Sequence, residues 1–158
     1  MKVYRITKRQ YAEELSGSGA RIHGGRWNHK GTSLIYTSEN RALATVEYLV
    51  HVPLSIVPAR LSLVTLQIPD EIIAREITTI DLPDDWRVYP PPLSLADIGT
   101  SWARTNESLL LRVPSAVVEH EFNILINPLH PSIKEVTILQ LEDFIIDQRL
   151  LRSDKNRK

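Results

Sequence analysis

Cysteine is absent from the 158-residue chain. That excludes disulfides, thiolate metal sites and a cysteine nucleophile, and it fits a reducing compartment. A net charge is absent as well: Lys and Arg total 19, Asp and Glu total 19. Proteins that bind nucleic acid through their electrostatic field show a basic excess, so direct nucleic-acid binding is not expected. No run of 18 apolar residues occurs, and Met1-Lys2-Val3-Tyr4-Arg5 is not an apolar leader. Neither a membrane span nor a secretory signal is therefore expected, and the chain reads as cytoplasmic. The histidines His23, His29, His51, His120 and His130 form no His-Glu-x-x-His pair or other ligand spacing, so no metal site is expected. A Gly-x-Ser-x-Gly elbow is missing too. Gly17-Ser18-Gly19 lacks the third glycine of a dinucleotide turn, and Lys30 precedes Gly31 where a P-loop needs the reverse.

What remains is an ordinary globular composition, 42% hydrophobic and 24% charged, at a length suited to a single domain over residues 1–158. A polar tail at 154–158 is expected to fray. Residues 2–7 alternate as a strand, with Val3 and Arg5 on one face and Tyr4 and Ile6 on the other. A helical turn or two over 8–15 is broken at 16–19. Ser33–Thr37 is a strand candidate. Ser38 is placed to cap a helix from about Glu39 to Val52, with an apolar stripe of Leu43, Val46, Leu49 and Val50, ended by Pro53. Further strands are expected at 61–68, 108–113, 121–126 and 136–141, and a helix capped by Ser94 at 95–104. Residues 71–92 give no regular pattern. Strands and helices do not alternate as βαβ units, which favours an α+β fold of mixed, mostly antiparallel sheet with flanking helices.

The most informative stretch is Gly19 to Gly31, Gly-Ala-Arg-Ile-His-Gly-Gly-Arg-Trp-Asn-His-Lys-Gly. It is too polar and glycine-rich for core, and reads as a ligand cradle. Arg26 offers a planar fork of donors suited to phosphate or carboxylate. Glu47 falls beside the apolar stripe of the second helix. A carboxylate there needs either a partner or a chemical task. Arg5 reads as a solvated strand arginine or one that reaches a cleft, and Ser115 as a turn serine after Pro114 or a functional hydroxyl.

The Gly19–Gly31 run, the following Leu-Ile-Tyr-Thr-Ser and the helical Ala-Leu-Ala-Thr-Val-Glu-Tyr-Leu-Val-His resemble the RES domain family, named for its arginine, glutamate and serine. Ile98-Gly99 with Trp102, the run from Leu111 to Val118, the run from Asn123 to Pro131, and Phe144 to Leu150 agree in order. The resemblance implies a fold related to ADP-ribosyltransferase toxins. It also implies the toxin half of a type II toxin–antitoxin pair, whose partner is an Xre-like helix-turn-helix antitoxin. A homodimer within a larger complex is compatible with this. The implied activity is depletion of NAD+ by cleavage of the nicotinamide–ribose bond, through phosphorolysis to ADP-ribose-1-phosphate and nicotinamide. NAD+ is then substrate and inorganic phosphate co-substrate, with no cofactor. Alternatives are an NAD+ glycohydrolase, a protein ADP-ribosyltransferase, or a non-enzymatic module that binds nucleotide or partner. Carried over by motif, Arg26, Glu47 and Ser115 are the catalytic set, and Arg5, Arg26, Tyr36 and Asn127 bind substrate. Glu47 is expected to stabilise the ribosyl cation, Tyr36 to pack on the nicotinamide ring, and Ser115 to position substrate or phosphate.

Overall fold

A computed structural model describes residues 1–53 and 60–151. Its frame is a seven-stranded sheet. The strands are β1 (Lys2–Lys8), β2 (Ile35–Ser38), β3 (Leu61–Gln67), β4 (Arg75–Glu76), β5 (Leu110–Pro114), β6 (Phe122–Ile126) and β7 (Thr137–Phe144). Their spatial order is β4-β5-β6-β2-β1-β3-β7. Every pairing is antiparallel except that of β4 with β5. Three α-helices accompany the sheet: α1 (Ser18–His23), α2 (Arg41–His51) and α3 (Leu93–Thr105). The mixed α+β architecture expected from the element order is the one observed.

Alternation along the strands sorts side chains onto two faces. One carries Val3, Val64, Leu66, Ile35, Ile124, Ile126 and Leu110, packed with Ala12, Leu109 and Val136. The other carries Leu125, Leu111 and Val113, covered by Trp27, Leu34, and Leu95 and Trp102 of α3. α2 packs beside this second layer, over β1 and β2. Two tethers fix its N-terminal end. Asn40 caps α2 by accepting from the Leu43 N–H at 2.8 Å and donates to Glu121 Oε2 at 2.7 Å. Arg41 grips Glu142 of β7 with both Nη atoms, at 2.8 and 3.2 Å.

Several expectations need correction. Ser38 does not cap α2. It lies in β2, registered against Tyr4 of β1 and Asn123 of β6, and Asn40 is the cap. Pro92, not Ser94, occupies the N-cap of α3. Val50 is 53% exposed and leaves the buried stripe of α2. The glycine-rich stretch is not all loop: α1 runs through Ser18–His23, entered from Gly17 in a left-handed conformation (φ 67°). The expected frayed tail at 154–158 lies outside the described residues.

Candidate functional site

The turn that carries Arg26 is built from its backbone outward. Gly25 N–H donates to Asn28 O at 3.0 Å, and Asn28 N–H returns to Gly25 O at 3.4 Å. This tight bridge sends Trp27 into the core, 3% exposed, and leaves Arg26 partly open. Asn28 locks the turn from inside. Its amide donates to the carbonyls of Ala20, His29 and Thr32, while its oxygen accepts from the Tyr36 hydroxyl at 2.7 Å. The same hydroxyl accepts from Trp27 N–H at 3.0 Å. A Cβ on Gly25 would lie 2.7 Å from that hydroxyl oxygen, so a side chain there would displace it. Burial pushes the Tyr36 phenol well above its ordinary range. It is a fixed neutral group.

Glu47 projects from α2 to the point where β2 and β6 run side by side. Its Oε1 accepts from Ser115 Oγ at 2.7 Å and from Asn123 Nδ2 at 2.6 Å. Ser115 follows β5 and is 2% exposed. Its Oγ accepts from the N–H groups of Val117 and Val118, each at 3.1 Å. Both hydroxyl lone pairs are thus engaged, and its proton is directed onto Glu47. Oε2 has no donor among the described residues and is the oxygen left for a ligand.

Arg26 completes the cluster. Burial lowers its pKa, while the nearby charge of Glu47 opposes the shift. Nη1 donates to Trp86 O at 2.6 Å and Val88 O at 3.3 Å, and Nη2 to Val88 O at 3.3 Å. The end of the guanidinium thus holds the 86–88 loop. The side formed by Nε and the remaining Nη2 hydrogen has no acceptor among the described residues. That free edge is a fork for two oxygens of one phosphate. Arg87 ties the same loop to the far wall, donating to Ala116 O at 3.3 Å and Glu119 at 2.6 Å.

The helix α2, the Gly25–Asn28 turn and β2 thus bring together a carboxylate with one free oxygen, a forked cation near enough to feel its charge, and a neutral phenol. Residues 2–147 match the RES domain. The chain belongs to the RES domain family. A protein of Yersinia enterocolitica named Toxin Res is 40% identical over 152 residues, covering 95% of this chain and 99% of the relative. The "Prs ADP-ribosylating toxin" of Sphingobium sp. is 38% identical over 143 residues, covering 89% of each. The fold is also that of a chain in the crystal structure of the M. tuberculosis MbcT–MbcA toxin–antitoxin complex. That match has a TM-score of 0.70 at 22% identity, over 90% of this chain and 83% of the other.

In this RES domain Arg26, Tyr36, Glu47 and Ser115 come together, and two of the named residues do not join them. Arg5 shares the opposite face of the sheet with Val3, registered against Val64. Its Nη2 donates to the carbonyls of Tyr11, Ala12 and Glu14, at 3.0, 3.2 and 2.5 Å. It pins the 9–14 turn instead of facing the Glu47 cluster. Asn127 is buried, donating to Ala103 O and Asn106 Oδ1 and accepting from Leu129 N–H. It ties the end of β6 to the end of α3. Asn28 and Asn123 are not singled out by the sequence, and Ser38 is read there only as a helix cap. Asn28 stood inside the glycine-rich stretch, where a buried amide is a usual way to close a turn. Asn123 gave no local signal, because only the β6–β2 register brings it to Glu47. Two surface depressions lie elsewhere. One of about 480 Å³ is lined by His29, Asp97 and Arg104, the other of about 280 Å³ by Gly31, Asn106 and Asn127. Among the described residues no group of three His, Cys, Asp or Glu side chains is placed to hold a metal, and no helix is long and apolar enough to cross a membrane.

Proposed function

We propose that the chain is the toxin of a toxin–antitoxin pair and consumes NAD+ by breaking its nicotinamide–ribose bond. The observation that carries this reading is Glu47: a carboxylate with one oxygen fixed by two donors and the other free, beside the open edge of Arg26. As the C–N bond breaks, its electron pair leaves with the ring nitrogen, and nicotinamide departs neutral. No strong acid is required. The positive charge that grows on the ribose faces the Glu47 carboxylate, which is already in place. Arg26 holds the pyrophosphate through its free edge, and the Tyr36 ring packs against the nicotinamide. Ser115 holds Glu47, since its hydroxyl is fully engaged there. The acceptor oxygen then bonds to the ribose carbon. With inorganic phosphate as co-substrate the product is ADP-ribose-1-phosphate; with water it is ADP-ribose and a released proton.

Incubating the purified chain with NAD+, with and without phosphate, and weighing the products tests the acceptor. ADP-ribose-1-phosphate formed only with phosphate supports phosphorolysis, and ADP-ribose in both samples supports hydrolysis. The name of the Sphingobium relative, an ADP-ribosylating toxin, favours a second reading, in which a protein side chain is the acceptor. Intact-mass analysis of candidate target proteins, looking for an added ADP-ribose, separates it. Tight NAD+ binding without turnover would instead favour a non-enzymatic module. The partner is a helix-turn-helix antitoxin of the Xre kind. The neighbouring fold, solved with an antitoxin, supports such a partner, and at zero net charge the DNA contacts fall to it.

A further inference from the structure

Glu47 stands on a helix, and its reactive end hangs over a strand that belongs to a different part of the chain. Something must hold that end in one rotamer. The hydroxyl of Ser115 is one anchor. The second is a chain of two polar side chains on neighbouring strands. Ser38 of β2 donates its hydroxyl to Asn123 Oδ1 at 2.7 Å, and Asn123 Nδ2 donates to Glu47 Oε1 at 2.6 Å. The two residues are registered directly opposite each other across β2 and β6. Their side chains therefore share one face of the sheet, the face under α2. Ser38 is 3% exposed, and its partner is chosen by the pairing rather than by solvent.

The direction of each bond in this relay is forced. An ionised carboxylate only accepts, so the amide must turn its NH2 toward Glu47. That leaves the amide oxygen facing Ser38, and the hydroxyl must donate to it. A flipped amide would set two oxygens against each other at Glu47. The hydroxyl of Ser38 thus selects the amide orientation that suits a charged Glu47. We infer that Asn123, oriented by Ser38, is a positioning residue for Glu47: it saturates Oε1 together with Ser115 and so leaves Oε2 as the oxygen that faces the ribose. This rests on the NAD+ reading for what Oε2 does, but not for how Oε1 is held.

The test compares Asn123→Asp, Asn123→Ala and Ser38→Ala with the natural chain, each checked for folding by circular dichroism. Asn123→Ala frees the Glu47 rotamer, and kcat for NAD+ falls by about tenfold to a hundredfold. KM stays within a factor of about three, because no contact to substrate is removed. Ser38→Ala moves kcat the same way by less, and it keeps the proposal open to test should the Asn123 variants not fold. Asn123→Asp puts a second carboxylate against Oε1. The pair then holds a proton to higher pH, and the acid limb of kcat moves up by about one pH unit or more. A merely structural asparagine would move neither the limb nor the ratio of kcat to KM. Wild-type kcat in folded Asn123→Ala, or an unshifted limb in folded Asn123→Asp, overturns the inference.

A readout that needs no turnover separates this from the activity itself. Carbon-13 carboxyl shifts of Asn123→Asp are expected to show Glu47 and the introduced carboxylate titrating as a coupled pair in two separated steps. Coupled steps in a chain that leaves NAD+ intact would sink the NAD+ reading and keep the positioning role. Independent titrations would sink the positioning role whatever the activity.

Discussion

Replacing Glu47 by glutamine changes one charge and almost nothing else. In the native chain Oε1 accepts from Ser115 Oγ at 2.7 Å and from Asn123 Nδ2 at 2.6 Å, and Oε2 has no donor among the described residues. A glutamine amide can put its oxygen where Oε1 stands and keep both bonds. Its NH2 then takes the place of Oε2, where the developing ribosyl cation would meet a neutral donor. The fold should hold, with a stability change below about 0.5 kcal/mol, as for substitutions that leave every buried partner satisfied. The rate should not. Losing one preorganised electrostatic stabiliser costs about a hundredfold or more, about 2.7 kcal/mol in the barrier. Glu47→Ala would be a worse probe, because it strands the Asn123 amide and the Ser115 proton and costs about 1–3 kcal/mol of stability for each group left unpaired. The assay is steady-state NAD+ consumption by wild type and Glu47→Gln at matched concentration, alongside thermal unfolding. Wild-type kcat in a folded Glu47→Gln protein would refute the reasoning, and so would a collapse in melting temperature that accounts for the lost rate.

Three further outcomes follow from the same contacts. In Gly99→Ala the added Cβ would lie 1.9 Å from the Trp27 carbonyl oxygen and 2.9 Å from its carbonyl carbon, backbone atoms that cannot swing aside. Overpacking of this kind costs about 1–3 kcal/mol, or roughly 3–9 °C in Tm at this length, and an unchanged Tm contradicts the close seating of α3 on the Arg26 turn. Arg5→Lys removes the Nη2 that serves three carbonyls and sets a differently shaped head in its place, so stability measured by urea unfolding should drop by about 1–2 kcal/mol while KM for NAD+ stays at the native value; a raised KM in folded protein would return Arg5 to the substrate site. Tyr36→Phe leaves Asn28 Oδ1 and Trp27 N–H without their shared partner, at a cost of about 1–3 kcal/mol. The phenol's pKa is raised in the folded state, so the unfolded chain loses that proton first. The native advantage over Tyr36→Phe should therefore be full below pH about 10 and shrink above it, as read by urea unfolding from pH 8 to 11; a difference that grows with pH would be wrong in sign.

Much of the fold is legible in the chain because strand alternation and helix periodicity are local. β1, β3 and β6 stand within a residue or two of where their patterns place them, and the two faces of β1 are as expected. What was lost was decided at a distance. Ser38 and Asn40 are both good capping residues, and only the pairing of Ser38 with Tyr4 and Asn123 draws the first into the sheet and leaves the cap to the second. Arg75–Glu76 carries no strand pattern. It pairs in parallel with β5, where Ile77 N–H donates to Arg112 O at 2.9 Å and the Arg112 side chain reaches Glu76 at 2.8 Å, contacts made only once the distant strand is in place. The site divides in the same way. Arg26 and Glu47 were visible as types out of place in their segments, a forked cation among glycines and a carboxylate beside an apolar stripe. Arg5 was not decidable from its strand, since the three carbonyls that occupy it come from the turn that follows. Asn123 was invisible until the register of β6 on β2 was known.

The central claim is that the Glu47 cluster turns NAD+ over. It is tested most directly by following free nicotinamide by proton NMR in a solution of the purified chain, NAD+ and phosphate, with no other protein present. The account predicts many molecules of nicotinamide released per chain, and none above background for Glu47→Gln. Folded wild-type chain that releases no nicotinamide, or stops at a single equivalent, would contradict it.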